Sequence, residues 1–245
     1  MKPRNTNYLW VKAVLSTAIA SALTACTLPF FESLNPPSSP TQSPSASLLP
    51  SGAASAANPG SEPFQPESRV IPLSIEGQPV EVQLKLFDLA ALPFTTYVPE
   101  KDFQSNVSKL EGELKGGSVE GQGIQFYYSP TGRKDENAYV QMFLPSSLNS
   151  VEDIRQLILG DKGIMANNQW ELVDRTDVIS YSWAKEKLTY QQPSQGTAAE
   201  MAIGAIYIGE DKGKAFYVLT HYPAEYADGF EPRSAVILEN LQFRE

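Results

Sequence analysis

One cysteine and one histidine occur in 245 residues. A single thiol has no partner for an internal disulfide, and a single histidine excludes His-Glu-x-x-His and every two-histidine metal site. No Gly-x-Ser-x-Gly turn is present to expose a nucleophilic serine. Gly121-Gln122-Gly123 lacks both a third glycine and a following helix, so it does not read as a phosphate cradle. The acidic pairs Asp135-Glu136 and Glu210-Asp211 stand in turns without the alternating oxygen ligands of a calcium loop, and read as solvated turn residues. No cofactor and no metal is therefore expected. Basic clusters are absent as well: residues 69–245 carry 25 acidic against 16 basic side chains. An acidic surface repels phosphate, which argues against nucleic acid as a partner.

What is present is zoned. Lys2, Arg4 and Lys12 precede an uncharged apolar stretch from Ala13 to Ala25. Thirteen helical residues would span roughly 20 Å, short of a ~30 Å hydrocarbon core, so a signal peptide fits better than a permanent span. From Thr27 to Ser68 the chain holds nine prolines, ten serines, no lysine or arginine, and only Glu32, Glu62 and Glu67 as charges. That composition does not bury enough apolar surface to offset ordering entropy, and predicts a disordered tether over 26–68. Coiled, it would span roughly 35 Å; stretched, about 130 Å. The 177 residues from 69 to 245 suit one globular domain.

The run Leu23-Thr24-Ala25-Cys26, placed directly after the apolar stretch, resembles the lipobox of bacterial lipoproteins. The resemblance implies cleavage between Ala25 and Cys26 and attachment of a diacylglyceryl group, with palmitate-type chains, to the Cys26 sulfur. Two chains suffice for durable anchoring where one does not. Thr27, where an aspartate would resemble an inner-membrane retention signal, implies the periplasmic leaflet of the outer membrane. The alternatives are an ordinary secretory leader with a cysteine near its cleavage site and a freely soluble product, or a segment that stays uncleaved.

Within the domain, Val80, Val82, Leu84 and Leu86 alternate with Glu81, Gln83 and Lys85, which predicts a half-buried strand over Pro79 to Phe87. Further strands are expected at Phe94 to Val98, Gly123 to Ser129 and Ala138 to Leu144, the last two joined by the polar loop Pro130 to Asn137. Ser150 reads as an N-cap, with Val151, Ile154, Leu157 and Ile158 as an apolar stripe ended by Gly160 or Gly163. Strands are then expected at Val178 to Trp183, extendable to Tyr190, at Ala199 to Ile208 and at Ala215 to Tyr222, with a turn at Gly209 to Gly213. A closing helix should carry Pro232 in its first turn. The order predicts an α+β fold, an antiparallel sheet covered by a central and a C-terminal helix.

Phe94-Thr95-Thr96-Tyr97-Val98-Pro99-Glu100-Lys101-Asp102-Phe103, together with the closing hairpin Gly213 to Thr220 and its terminal helix, resembles the Mog1/PsbP-type fold. That fold is an antiparallel sheet between helices, which photosystem-associated lumenal proteins share with several bacterial lipoproteins. A strand before the opening segment and a helix at Ser150 are additions to the pattern, and no functional residue is carried over from it.

Two functional readings remain. In the first, the domain binds another envelope protein, as an assembly or accessory factor of a membrane complex, through aromatics on its strands. Consecutive aromatics on a regular strand point to opposite faces, so Tyr127-Tyr128 and Phe216-Tyr217 each place one ring outward. The expected partner or ligand surface is Tyr127, Tyr128, Tyr217, His221 and Tyr222, unless helices cover the sheet and these rings fill its layers. In the second, a hydrolase or small-ligand binder uses a sheet-face pocket near His221, which then needs a carboxylate in hydrogen-bond range.

Overall fold

A computed structural model describes residues 65–114, 117–193 and 201–244. The leader, Cys26 and nearly all of the expected tether lie outside the described residues. The described chain is α+β, with two antiparallel sheets and helices on both faces of the larger one.

The smaller sheet runs β1-β2-β3-β11: Ser68–Ile75, Gln78–Asp88, Phe94–Pro99 and Gln242–Phe243. Its first hairpin turns on Glu76 and Gly77, both with positive φ (51° and 75°), the conformation whose twist matches antiparallel strands. The larger sheet runs β4-β5-β6-β10-β9-β8-β7. Its strands are Phe103–Leu114, Gly117–Tyr128, Tyr139–Pro145, Lys214–Pro223, Ala202–Asp211, Ala184–Gln192 and Glu171–Thr176 in that spatial order. The β9–β10 turn again uses a positive-φ pair, Lys212 and Gly213.

Between β6 and β7 lie α1, Val151–Leu159, and the single turn α2, Ile164–Asn168. Ser150 caps α1 by accepting the Asp153 N–H at 3.1 Å, and Gly160 ends it. A 3-10 turn, Ala224–Tyr226, leads from β10 into α3, Ala227–Glu239. Ile154, Leu157 and Ile158 of α1 pack with Ile206, Ile208, Leu219 and Tyr217 on one face of the large sheet. On the other face, Phe230, Ile237 and Leu238 of α3 pack with Phe126, Val140, Tyr207 and Val218. Val236 joins Val82, Leu84 and Tyr97 of the small sheet, so α3 is wedged between the two sheets.

Two expectations need correction, and three strands were not expected. Val178 to Trp183 is not a strand: the Val178 N–H turns back to Thr176 Oγ1 at 3.1 Å and Ala184 N–H closes a turn on the Tyr181 carbonyl at 3.1 Å. Val178 stands 85% exposed, and the strand begins at Ala184. Pro232 is inside α3 and not in its first turn, because the helix starts five residues earlier at Ala227. The helical N–H that proline removes would have served the carbonyl of Asp228, which is exposed to water. Strands β1, β4 and β7 carry no expectation at all, and they give the molecule a second sheet and both edges of the first.

Candidate functional site

His221 lies on β10 opposite Tyr139 of β6 and Gly204 of β9, and Gly204 is opposite Tyr190 of β8. These residues form one row across four strands. A β-carbon on Gly204 would stand 1.9 Å from the Thr220 carbonyl oxygen and 2.6 Å from Tyr190 Oη. Only glycine lets the Tyr190 ring cross β9 and reach the histidine. Tyr190 Oη is 3.0 Å from the Thr220 carbonyl and 2.9 Å from His221 Nδ1. A carbonyl only accepts, so the single hydroxyl proton goes to Thr220 and the oxygen accepts Nδ1–H from the imidazole. Trp170, following α2, stacks on Tyr190 (4.1 Å, 10°) and on His221 (5.2 Å, 19°), and Tyr139 closes the cluster at 5.4 Å.

Burial among these rings pushes the His221 pKa down to about 4, so the imidazole is neutral at ordinary pH. Burial, with some help from Tyr127, raises Tyr139 to about 12. The one hydrogen-bond partner of the imidazole among the described residues is a phenol. The histidine–carboxylate pair that a hydrolase at this position needs is not formed there. Nor do the described residues bring three or more His, Cys, Asp or Glu side chains together in a way that could hold a metal ion.

The five residues expected to make one surface divide between two faces. Tyr128 and Tyr222 face α3 and pack on Phe230, at 5.5 Å edge-on and 4.5 Å stacked. Tyr217 faces α1 and lies against Phe143 at 5.3 Å. Tyr128, Tyr217, His221 and Tyr222 are all buried, at 5–9% exposure. The sheet is covered on both sides here, and its aromatics fill the layers. Tyr127 alone of the five is half-exposed.

Around Tyr127 a different arrangement appears. Its hydroxyl donates to Gln125 Oε1 at 2.8 Å, Gln125 Nε2 donates to Gln141 Oε1 at 2.9 Å, and Gln141 Nε2 donates to Tyr217 Oη at 3.1 Å. The relay runs over β5, β6 and β10 and ends on a buried phenol whose pKa burial raises. Lys134 Nζ sits 4.3 Å over the Tyr127 ring, and Gln104 Nε2 donates to the Gly132 carbonyl at 3.1 Å, which ties the β5–β6 loop to the same place. In register, Gln104 lies opposite Tyr127 and Asn106 opposite Gln125, so the exposed Gln104 and Asn106 extend this face to the sheet edge. The result is a shelf of tyrosine and amide side chains beside α1, with the exposed Lys134 ammonium over its Tyr127 ring. Gln104, Asn106, Gln125 and Gln141 had no part in the expected surface. Their alternation along each strand was readable, but their meeting depends on inter-strand register.

No protein family matches this chain, and no curated protein is significantly similar to it.

Proposed function

We propose that this is a lipid-anchored protein of a bacterial envelope whose α+β domain binds another protein through the tyrosine–amide shelf. The anchor rests on the likeness of Leu23-Thr24-Ala25-Cys26 to a lipobox, and the proline- and serine-rich stretch after Cys26 gives the domain reach toward an assembly or accessory role in a membrane complex. The observation that carries the binding role is the relay Tyr127–Gln125–Gln141–Tyr217. Its side chains are fixed before any partner arrives, which lowers the entropy lost on association. Tyrosine and amide groups offer contact area and adaptable hydrogen bonding at a lower desolvation cost than charged groups, and the Lys134 ammonium over Tyr127 is exposed.

The test is affinity isolation from membranes with the anchor intact, comparing the native chain with Gln125→Ala/Tyr127→Ala. A specific partner should be recovered with the native chain, and its affinity should fall at least about tenfold, or ~1.4 kcal/mol, in the double variant. Equal recovery by both chains, or no partner with either, ends this reading of the shelf. In the same preparations Cys26→Ser should leave the membrane fraction or keep its leader. Unchanged fractionation together with a mass unchanged beyond the substitution itself removes the anchor.

A further inference from the structure

Tyr222 follows His221 on β10 and therefore points the other way, under α3. There it lines a cleft of about 240 Å³ between α3 and strands β8 to β10, with Tyr181, Lys187, Thr189, Tyr207 and Glu231. At ~30 Å³ per water molecule that is room for about eight waters, enough for one six-membered sugar ring and less than a drug-sized ligand needs. One wall is a rigid aromatic block: Tyr181 lies parallel to Trp183 at 5.5 Å, and Tyr207 meets Tyr181 edge-on at 5.3 Å.

The polar groups of the cleft are of both kinds. The Tyr222 hydroxyl donates to Glu231, and the Tyr181 and Tyr207 rings meet edge-on beside it. Burial holds all three phenols protonated; the Tyr222 proton goes to Glu231, and the Tyr181 and Tyr207 hydroxyls remain as O–H donors. The negative charge of Glu231 is felt by Tyr207 and Tyr222, and that of Glu239 by Tyr181. Against this stands Lys187, whose Nζ is 5.7 Å from the Tyr207 ring and which pairs with no carboxylate among the described residues. An anion would meet Glu231, and a cation would meet Lys187. A neutral ligand carrying several hydroxyls meets donors and acceptors it can satisfy at once, with its C–H face against the phenol rings.

We infer that this cleft binds a neutral, hydroxyl-rich ring of monosaccharide size. The site is on the face opposite the shelf, and its occupancy does not depend on partner binding there. Isothermal titration of the full chain, in a detergent without a sugar headgroup, tests it with D-glucose, D-galactose and N-acetyl-D-glucosamine, and with glycine and acetate as the zwitterionic and anionic probes. At least one sugar should bind saturably at about millimolar Kd or tighter, near −4 kcal/mol. Lys187→Met and Thr189→Val should each weaken that binding several-fold, while Gln125→Ala/Tyr127→Ala should leave it unchanged. Circular dichroism confirms that each variant is folded, and Thr189→Val, a near-isosteric change, is the second probe if Lys187→Met is not. No saturable binding of any of the three sugars overturns the inference. So does binding indifferent to both cleft variants, or binding of glycine or acetate at least as tight as that of the best sugar.

Discussion

The two faces of the seven-stranded sheet are covered by unequal means. On one face, α3 has thirteen residues and is wedged against a second sheet, so the covering layer is itself held from behind. On the other, α1 has nine residues and α2 five, with no second layer behind them among the described residues, and the shelf of Tyr127, Gln125 and Gln141 lies beside them half-exposed. The α1 face compensates with polar ties. Glu186, 5% exposed, sits where a register shift between Ala184 and Glu186 bulges β8. Arg155 of α1 holds its carboxylate through Nε at 2.8 Å, and Arg175 of β7 pairs with it from the sheet edge. A face with a deep apolar cover is a structural keystone, whereas one held by a short helix and a few ion pairs leaves part of the sheet surface half-exposed.

The largest expected effect separates the two faces. Phe230 and Leu157 are both fully buried, one on each helix. Phe230→Ala removes a ring that contacts Phe103, Tyr128 and Tyr222, and should cost about 4 kcal/mol in urea denaturation. Leu157→Ala should cost about 3 kcal/mol. Hydrogen exchange sharpens the contrast: Phe230→Ala should deprotect amides of β1 to β3, and Leu157→Ala should leave them protected. If Leu157→Ala loosens the small sheet as well, the faces are not independent and the comparison fails.

Acid offers a second, somewhat smaller separation. The folded-state pKa of His221, about 4, lies below the ~6.5 of an unfolded histidine. The unfolded chain therefore binds this proton first as pH falls. The stability that depends on a neutral imidazole is complete above about pH 6.5 and is lost progressively down to about pH 4, by at most about 3 kcal/mol. Carboxylates also titrate toward the lower end of that window, so the quantity to measure is the difference from His221→Gln. The variant should show a shallower fall in stability between pH 6.5 and 4. Identical slopes would mean that the ring cluster does not exclude a charged imidazole.

These contrasts bear on what the sequence could reveal. The alternation of Val80, Val82, Leu84 and Leu86 was visible, and so was the Ser150 cap with its apolar stripe, because both signals are local. Strand β4 was not, since Phe103-Gln104-Ser105-Asn106-Val107-Ser108 has too few apolar residues for a buried pattern: it is an edge strand with much of both faces exposed. Strand β7 escaped for the same reason and carries a register shift between Leu172 and Asp174 besides. His221 stood out as the sole histidine, yet its role is fixed by Tyr190, thirty-one residues earlier, reaching over Gly204. That Tyr127 and Tyr128, and Phe216 and Tyr217, point to opposite faces followed from parity, but not that helices cover both faces and leave Phe216 and Tyr217 both buried. Parity gives a side chain its direction; only tertiary contacts say what it meets.

The smallest effect tests the polar tie itself. Arg155→Met keeps most of the aliphatic stem and removes one of the two guanidinium groups on Glu186. The carboxylate stays buried, so the loss exceeds that of a surface pair, but Arg175 remains beside it and is half-exposed, which limits the cost. About 2 kcal/mol is expected by chemical denaturation. The second substitution decides the interpretation. If the penalty comes from leaving a buried charge under-paired, adding Glu186→Leu should restore part of the lost stability, since an apolar residue of similar size removes the charge that needed a partner. If Arg155→Met/Glu186→Leu is instead less stable than Arg155→Met alone, the carboxylate is satisfied by Arg175 without Arg155. In that case α1 is held by Ile154, Leu157 and Ile158 alone. The contrast between an apolar keystone and a polar tie would then reduce to a difference in helix length.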